Sequence, residues 1–359
     1  MDTLVQALPQ HKELIPQQYR MPAEWEPHAG VWLSWPRPDG ISFPSKYEPI
    51  PQTYAKLIHE LLKSEEVHIN IWNNQMACEV RDILAGHGVI SEKIFFHPFP
   101  AYEPWCRDHG PIFVVRDVDN KRHRAVVDWG YNAWGGKYPP YDSDDLVPVH
   151  VARYRNLPLF QPQMILEGGS IDVNGRGTLL TTRSCLLNPN RNPNLTQTQI
   201  EAKLKKYLGI HHILWLEEGI VGDDTDGHID DITRFVSPDT VVTVVEDNKE
   251  DENYEILQRN LELLRTMKDQ EGSPLKIIEL PMPDPVYHEG ERLPASYANF
   301  YIANHAVLVP TYRSDKDVKA LGILSSCFPG REVVGIDSTD LIWGLGSFHC
   351  ITQQEPKGW

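Results

Sequence analysis

The chain of 359 residues carries 34 basic and 50 acidic side chains, and its net charge is −16 at pH 7. A strongly acidic chain lacks the basic surface that displaces counterions from phosphates, which excludes non-specific nucleic-acid binding. The sequence contains no apolar run of about 18 residues, which excludes a membrane-spanning helix. The first twenty residues lack the basic start and apolar stretch of a secretion signal, so we expect a cytoplasmic protein.

The chain is longer than a typical domain, but length sets only a soft limit on the number of domains. No Ser/Gly-rich linker, low-complexity segment or long run of charge divides it. We therefore expect one domain over residues 1–359.

Five predicted units each place a helix ahead of a buried strand. In the first, apolar residues from Tyr54 to Leu62 recur at helical spacing before an apolar run. The third helix begins after the capping pair Thr196 and Gln199. In chain order the predicted helices and strands lie near 54–62 and 67–73, 76–86 and 93–99, 197 onward and 211–216, 253–267 and 275–281, and 314–327 and 331–337.

Shorter apolar runs predict strands between these units, at 30–36, 112–115, 177–182, 240–246 and 300–310. The pattern indicates an α/β protein. Unusual residues concentrate in the loops that follow predicted strands, at 105–111, 222–231 and 344–350. Functional groups on equivalent loops of repeated units converge when the units surround a common centre.

His228 lies in the segment 223–231, which also holds five aspartates. Nearby carboxylates favour the imidazolium form, so His228 is a candidate acid/base. A solvated acidic turn and a metal site are the competing interpretations. The segment lacks the spacing of a calcium loop, and no His-x3-His or Cys-x2-Cys pair supplies further ligands. We therefore predict no metal.

Five cysteines at wide spacings favour neither a disulfide framework nor a zinc site. Cys78, Cys185 and Cys327 lie in apolar or helix-like surroundings, where a cysteine is typically a small buried hydrophobic residue. Cys350 follows a glycine-bearing loop, which would let a ligand approach the backbone closely. A thiolate in such a loop is a candidate nucleophile.

Asp108 and Glu167 each lie beside glycines and between apolar strands, where an unpaired buried carboxylate is costly. Both are candidate ligands for a cation. The alternatives are a salt bridge between Asp108 and Arg107 or a turn cap, and for Glu167 an ordinary turn acid. Trp105 and Trp134 suit a hydrophobic core, although their closeness to acids also suits a cation site.

Together these motifs resemble the agmatine deiminase and peptidylarginine deiminase superfamily, and the resemblance spans nearly the whole chain. Seven motifs in one order are more specific than any single one. They are RMPAEWEPH at 20–28, WCRD at 105–108, NAWGG at 132–136, LEGGSI at 166–171, TDGHID at 225–230, PASYANFY at 294–301 and HCITQQ at 349–354.

The resemblance implies an α/β fold with a propeller-like, pseudo-five-fold arrangement of ββαβ modules around a central active site. It also implies a single guanidine deiminase catalytic domain, without a cofactor, that hydrolyses a guanidinium to a ureido group and ammonia. Carried over by motif, Cys350 is the nucleophile and His228 the acid/base, while Asp108 and Asp230 bind the guanidinium. The residues expected to contact the substrate are Glu167, Trp105, Asp226 and Gly346.

Agmatine is the leading substrate, converted to N-carbamoylputrescine through a covalent thiouronium on Cys350 in putrescine and polyamine biosynthesis. Peptidylarginine, free arginine or another alkylguanidine is the alternative within this chemistry, and a non-catalytic cation-binding module is the alternative outside it. We expect a small cationic guanidine as partner, with neither nucleic acid nor membrane, and we leave homo-oligomerisation open. At the far end of the substrate, acids or aromatic rings would favour an amine, whereas an Arg would favour a carboxylate.

The sequence departs from the usual family motifs at several positions around the predicted site. Leu345 interrupts a run of glycines, Asp226 stands in place of Asn, Asp172 in place of His, and His109 in place of Thr or Tyr. No residue with a predicted catalytic role is lost. Because several acids surround Cys350, we expect the pKa of its thiol to be raised and the bound cation to favour the thiolate.

Overall fold

The computed structural model describes residues 18–358, so the first seventeen residues, on which the prediction of no secretion signal depends, lie outside the described part. The strands in this part are β1 His28–Ser34, β2 Glu66–Asn70, β3 Ile94–His97, β4 Ile112–Val118, β5 Lys121–Val127, β6 Leu159–Phe160, β7 Ile171–Val173, β8 Thr178–Thr182, β9 His212–Leu216, β10 Thr233–Ser237, β11 Thr240–Val245, β12 Lys276–Pro281, β13 Tyr287–His288, β14 Glu291–Arg292, β15 Tyr301–Ile302, β16 Ala306–Thr311, β17 Glu332–Asp337 and β18 Gln353–Pro356.

The helices include several that are a single turn long. They are α1 Ile50–Leu61, α2 Asn74–Gly86, α3 Cys106–His109, α4 Ala133–Gly136, α5 Asp142–Asp145, α6 Val147–Arg155, α7 Arg183–Leu186, α8 Gln197–Leu208, α9 Tyr254–Thr266, α10 Asp317–Cys327 and α11 Phe348–Ile351. Three 3₁₀ turns lie at Gly168–Ser170, Ile229–Asp231 and Leu341–Gly344. Among residues 18–358 we find no helix long and apolar enough to cross a membrane.

Five sheets repeat one connectivity. In each, an antiparallel pair of strands is followed by a helix and then by a strand that pairs in parallel with the second. The strand orders are β18-β1-β2-β3, β4-β5-β6, β7-β8-β9, β10-β11-β12 and β15-β16-β17. In the first sheet the antiparallel pair joins distant parts of the chain, because Trp32 of β1 lies opposite Gln353 of β18.

Four of the five predicted helix–strand units belong to this connectivity, namely α1–β2, α8–β9, α9–β12 and α10–β17. The other predicted unit is also present, as α2 and β3, but it adds a fourth strand to the first sheet instead of forming part of a separate sheet. The missing unit is α6–β6, which the sequence analysis did not identify. Its strand is only two residues long, and polar residues interrupt the apolar pattern of its helix.

The single strand predicted at 300–310 is a hairpin of β15 and β16. Asn304 lies in the turn between them, and its side chain anchors the turn to the backbone of His28. Its Oδ1 accepts the backbone N–H of His28 at 2.9 Å, and its Nδ2 donates to the His28 carbonyl at 3.0 Å. Two long-range hydrogen bonds therefore stabilise a reversal of the chain direction, which the continuous apolar pattern of 300–310 does not predict.

The helices pack apolar faces against the sheets as their periodicity predicts. In α1, Tyr54, Leu57, Ile58 and Leu61 are fully buried, and each such side chain contributes about 1.5–3 kcal/mol on burial. The predicted capping box of α8 is confirmed, because the Thr196 side chain accepts the Gln199 N–H while the Gln199 side chain accepts the Thr196 N–H.

A short turn leads into the first strand of each sheet. The turns are α3 before β4, Gly168–Ser170 before β7, Ile229–Asp231 before β10, the segment 296–299 before β15, and α11 before β18. Neighbouring turns contact one another: α11 contacts α3, α3 contacts Gly168–Ser170, and Gly168–Ser170 contacts Ile229–Asp231. The repeated connectivity thus brings equivalent turns together.

Candidate active site

Three predicted site residues meet around Gly169. A methyl group built on Gly169 would lie 2.6 Å from His228 Nδ1, 2.8 Å from Asp108 Oδ1 and 3.0 Å from Asp230 Oδ2. Such distances are shorter than contacts of a real side chain, so a glycine is needed here for the three groups to approach each other. Residues separated by up to 122 positions are thereby placed within contact of one point.

Neutral donors hold the carboxylate of Asp108. Trp134 Nε1 donates to Oδ2 at 3.0 Å, and the Gly169 backbone N–H donates to Oδ1 at 3.0 Å. Burial raises the pKa of Asp108 to about 6, although the nearby His228 favours the ionised form, and the charge of Asp230 raises the pKa further.

The predicted alternative for Asp108, a salt bridge with Arg107, does not form. The Arg107 guanidinium instead donates to Gln354 Oε1 at 2.7 Å and to the carbonyl of His349 at 3.2 Å. It also lies 3.7 Å from a carboxylate oxygen of Glu24. Asp108 is therefore left without an arginine partner.

A histidine holds the carboxylate of Asp230. Its Oδ2 lies 2.7 Å from His349 Nδ1 and 3.7 Å from Cys350 Sγ. Burial opposes ionisation of Asp230, but the hydrogen bond and charge of His349 keep its pKa below the usual value. Asp230 Oδ1 is buried and has no hydrogen-bond partner within residues 18–358, so it can accept a bond from a ligand.

Asn299 fixes the surroundings of Cys350. Its Oδ1 accepts the backbone N–H groups of His349 at 3.0 Å and Cys350 at 3.3 Å, which determines the orientation of the amide. The Nδ2 group donates to Asp231 Oδ1 at 2.9 Å and to Cys350 Sγ at 3.0 Å. Burial and the charge of Asp230 raise the pKa of the Cys350 thiol well above its usual value, as expected from the acidic surroundings.

His228 is buried, and its ring lies close to the carboxylate of Asp108 and to the thiol of Cys185. Its Nδ1 lies 3.7 Å from Asp108 Oδ1, and its backbone N–H donates to Asp223 Oδ2 at 3.0 Å. Burial opposes the charged form, yet the carboxylate of Asp108 and the thiol of Cys185 raise the pKa of His228 well above its usual value. An imidazolium at this position can donate a proton.

The remaining cysteines only partly match the prediction of small buried hydrophobic residues. All five thiols are free; Cys78 is exposed and Cys327 is half-buried, because each lies on a helix face that the sheets do not cover. Cys185 is buried but not surrounded by apolar groups alone. Its sulfur lies within 4.8 Å of ligand atoms of Glu167 and His228.

A buried arginine forms an ion pair with the carboxylate of Glu167. Arg191 Nε donates to Glu167 Oε1 at 2.8 Å and also binds the carboxylate of Asp226, which accepts from Lys137 Nζ at 2.9 Å as well. Two cations therefore already pair with Asp226, and it is not among the residues that line the cavity. The structure brings Glu167 to His228, and the residues that line the cavity include Asp108 and Cys350 but none of Glu167, Asp226, His228 and Asp230.

A cavity of about 170 Å³ lies beside Cys350 and Asp108. Its walls combine carboxylates with aromatic rings, and no lining residue in the described part of the chain is a Lys or Arg. The other acids are Glu103, Asp224 and Asp231, and the aromatic residues are Trp105, Trp134, Tyr138 and Trp343.

The glycines before Cys350 make room for Trp105. A methyl group on Gly346 would lie 2.5 Å from Trp105 Cζ3, and one on Gly344 would lie 2.7 Å from Cζ2. We expected these glycines to admit a ligand to the backbone; the structure shows that they admit the indole ring. Gly346 still lines the cavity, and Leu345 between the glycines takes a left-handed φ of 68°.

A strained turn aims Trp134 at Asp108. The four residues of α4 all have positive φ, at 51°, 54°, 91° and 79°. For Ala133 and Trp134 this conformation costs about 1–3 kcal/mol each. The side chain of Asn132 stabilises the turn by accepting the Gly135 N–H at 2.9 Å.

Two clusters contain donor atoms of the kinds that bind metals. Glu167, Cys185 and His228 form one, and Asp230, Asp231 and Cys350 form the other. In the first, the guanidinium of Arg191 already contacts Glu167, which disfavours a second cation there. In the second, Asp231 and Cys350 line the cavity, where an organic cation could equally bind.

Sequence analysis did not assign roles to four residues that hold the site together, namely Glu24, Asp231, Asn299 and His349. Three of them lie in motifs that carried the resemblance, and Asp231 follows one directly. Their roles depend on partners far away in the sequence, so the motifs alone did not reveal them. The signal available was the presence of Glu24, Asn299 and His349 within motifs that carry the resemblance.

Comparison with known proteins gives consistent matches over the chain. The profile of the Porphyromonas-type peptidyl-arginine deiminase family matches residues 20–356. A Legionella pneumophila protein provisionally named as an agmatine deiminase is 37% identical, over 95% of this chain and 97% of its own. The structure of Enterococcus faecalis agmatine deiminase is 32% identical, with a TM-score of 0.88 over 95% of this chain and 96% of that one. A C. jejuni agmatine deiminase in which Ser replaces a Cys, with substrate bound, is 33% identical, with a TM-score of 0.85 over 95% and 97%.

Proposed function

Because the chain belongs to the Porphyromonas-type peptidyl-arginine deiminase family, we propose that it hydrolyses agmatine to N-carbamoylputrescine and ammonia. One observation carries this proposal. The buried thiol of Cys350 and the carboxylate of Asp108 open together on a cavity whose walls are acidic and aromatic. Such a cavity favours a thin organic cation.

The guanidinium binds between Asp108 and Asp230. Charge-assisted hydrogen bonds from its N–H groups to two carboxylates are strong and directional, and they would use the unpartnered Oδ1 of Asp230. This pairing holds the guanidinium carbon against Cys350 Sγ, which lies 3.7 Å from Asp230 Oδ2. Rigid orientation matters because resonance makes that carbon a poor electrophile.

Cys350 as a thiolate forms an S–C bond to the guanidinium carbon. His228 donates its proton to the departing nitrogen, the C–N bond breaks, and ammonia leaves a thiouronium on Cys350. His228 then takes a proton from water, whose oxygen attacks the same carbon. The S–C bond breaks and the remaining hydroxyl proton leaves to solvent, so that the ureido product forms and the thiolate is restored.

The positive charge of the substrate favours the thiolate form of Cys350, which is the form that attacks. Burial and carboxylates raise the pKa of the free Cys350 thiol, so the neutral form predominates in the empty site. A guanidinium placed between Asp108 and Asp230 offsets their field and favours the thiolate. A Cys350 that titrates as fully ionised at neutral pH without substrate would contradict this step.

The cavity favours agmatine over arginine. An amine at the far end of the substrate would meet acids such as Glu103 and Asp224 beside Trp343. An α-carboxylate would need a cation, and no Lys or Arg of the described chain lines the cavity. Free arginine is therefore the weaker alternative. Peptidylarginine has no free α-carboxylate, so the activity towards an arginyl peptide must be measured.

We also propose a propeller-like, pseudo-five-fold arrangement of ββαβ modules in one catalytic domain, with the site at its centre. Five sheets of the same connectivity and the mutual contacts of their turns support it. Asn299 would close the circle, because it binds both Asp231 and Cys350. The proposed product supports a role in putrescine formation.

Ammonia release from agmatine, free arginine, an arginyl peptide and an alkylguanidine without an amine tests the function. We expect agmatine to have the highest kcat/KM and Cys350→Ser to lower it by at least roughly 10⁴-fold. Asp224→Asn should raise KM for agmatine about tenfold but leave KM for the alkylguanidine unchanged, since it removes one charge opposite the amine. No turnover of any guanidine would refute the proposal, and a preference for arginine would refute the substrate.

The same assay separates the other classes of function. A non-catalytic cation-binding module would bind agmatine but release no ammonia. A metal-dependent hydrolase would lose activity with a chelator while Cys350→Ser retained it. The proposed mechanism requires the reverse, with activity that resists chelator and is lost in Cys350→Ser.

A further inference from the structure

His349, the residue before the predicted nucleophile, contacts a carboxylate with each ring nitrogen. Its Nδ1 lies 2.7 Å from Asp230 Oδ2, and its Nε2 lies 2.8 Å from Glu24 Oε2. All three side chains are buried. A neutral imidazole has one donor and one acceptor nitrogen, so it cannot donate to two carboxylates at once.

The surroundings of Glu24 require its ionised form. Oε2 also accepts from Arg234 Nη2 at 2.8 Å, and Oε1 accepts the backbone N–H of Ile302 at 2.7 Å. Each oxygen therefore already faces a donor, and a carboxylic acid proton on either would oppose it. Although burial acts in the opposite direction, the charge of Arg234 favours the ionised form, and the pKa of Glu24 lies well below its usual value.

Charges alternate along a buried chain of side chains that ends at the substrate site. Arg234 Nε donates to Asp172 Oδ2 at 3.2 Å, so the order is Asp172, Arg234, Glu24, His349 and Asp230. A cation at His349 is the one state in which every neighbour in this chain has the opposite sign.

We propose that His349 is a positioning residue that donates from both ring nitrogens, to Glu24 and to Asp230 Oδ2, so that the free Oδ1 of Asp230 faces the guanidinium. This role rests on the proposed function. A neutral His349 would leave one of two buried carboxylates without a charged donor, and a carboxylate unpaired in this way is costly. Asp230 would then bind the substrate in a less fixed orientation.

The cation also acts on the neighbouring thiol. The groups that face the His349 ring are the carboxylates of Asp230 and Glu24, with the guanidinium of Arg107 and the thiol of Cys350 close by. By pairing with Asp230, His349 withdraws part of the negative field that opposes the thiolate. The substrate cation then supplies the rest.

Nuclear magnetic resonance of the histidine rings in the substrate-free wild type tests the protonation directly. We expect both ring nitrogens of His349 to carry protons at neutral pH, since each faces a carboxylate oxygen. The signal is assigned by its loss in His349→Asn. A single protonated nitrogen at neutral pH overturns the proposal, whatever the substrate proves to be.

Two substitutions test the positioning. The amide of His349→Asn occupies the place of Nδ1 and can still donate to Asp230, whereas that of His349→Gln occupies the place of Nε2 and reaches Glu24. We expect His349→Gln to raise KM for agmatine by at least tenfold and His349→Asn to raise it less, since truncating one partner of a charged bond costs about 1.5–3 kcal/mol.

His97→Gln is the matched control, because His97 is also buried and its Nε2 lies 3.0 Å from His68 Nδ1, with neither residue in the lining of the cavity. It should lower the Tm and leave KM unchanged. Equal KM values for wild type, His349→Asn and His349→Gln would overturn the positioning role. If neither variant folds, the protonation measured in the wild type decides. Failure of agmatine turnover in the wild type, with His349 protonated, would instead refute the proposed function alone.

Discussion

Asp108 and Asp230 are predicted to hold the same guanidinium, yet they lie in opposite electrostatic surroundings. The side of Asp108 offers neutral donors, the indole of Trp134 and the backbone of Gly169. The side of Asp230 offers the ring of His349, backed by further ion pairs. Burial therefore raises the pKa of Asp108 to about 6, while the pKa of Asp230 is held low.

The difference indicates a division of labour between two carboxylates of one site. Asp230 is a charged anchor before the substrate arrives. Asp108 gains most from the arriving cation, because only neutral donors and the more distant His228 balance its charge. Two identical side chains can thus bind one ligand with different sensitivity to pH and to mutation.

Substituting the two carboxylates in turn is the strongest test of this difference. Asp230→Asn leaves a buried charged donor without its partner, which costs about 3–5 kcal/mol, so we expect kcat/KM to fall roughly 10²–10⁴-fold. Asp108→Asn should cost about tenfold less, because the cation that it leaves, His228, lies 3.7 Å away and also interacts with Cys185 and Asp230. Steady-state kinetics with agmatine and thermal unfolding measure both effects. Equal losses in the two variants would remove the distinction.

Gly169→Ala should damage both sides at once. The added methyl group would lie 2.6 Å from His228 Nδ1 and 2.8 Å from Asp108 Oδ1, so these groups must separate. A displacement of about 1 Å in such a site costs about 10²-fold in rate. The control is Gly322→Ala, since nothing lies within 4 Å of a methyl group there. Full activity in Gly169→Ala would show that the convergence is not needed.

The pH dependence of kcat/KM also distinguishes the two carboxylates, and it is the smallest of the expected effects. Asp108 becomes protonated as the pH falls through about 6, so activity should decline below that pH, while the low pKa of Asp230 contributes nothing there. Trp134→Phe removes a donor that favours the ionised form, so the decline should move to higher pH by about one unit. A midpoint that Trp134→Phe leaves in place would assign the decline to another group.

Hydrophobic periodicity was enough to predict most of the repeated units. The face of α1 and the capping box of α8 are local features, and the structure has both. The unit α6–β6 escaped prediction because its strand is two residues long and carries almost no pattern of its own. The parallel partner β5 determines that strand, and pairing between strands is not visible in a local window.

The residues of the candidate site also fall into two groups, those whose roles the sequence predicts and those whose roles it does not. Cys350, His228, Asp108 and Asp230 stand in motifs whose chemistry is evident from residue types, and the structure brings them together. The partners of Asp226 were not predictable, since Arg191 lies 35 residues away and pairs with it only through the fold. The role of His349 depends likewise on Glu24.

The hydrogen bond between His349 and Glu24 spans 325 residues of the chain. Closing so long a loop costs more conformational entropy than closing the shorter loops within a single sheet, and contacts between such distant residues form slowly. We therefore expect the sheets to acquire their own structure early during refolding, and the pairing of β1 with β18 to come late. Recovered catalysis would then report that the two most distant parts of the chain have met, at a time when circular dichroism already looks native.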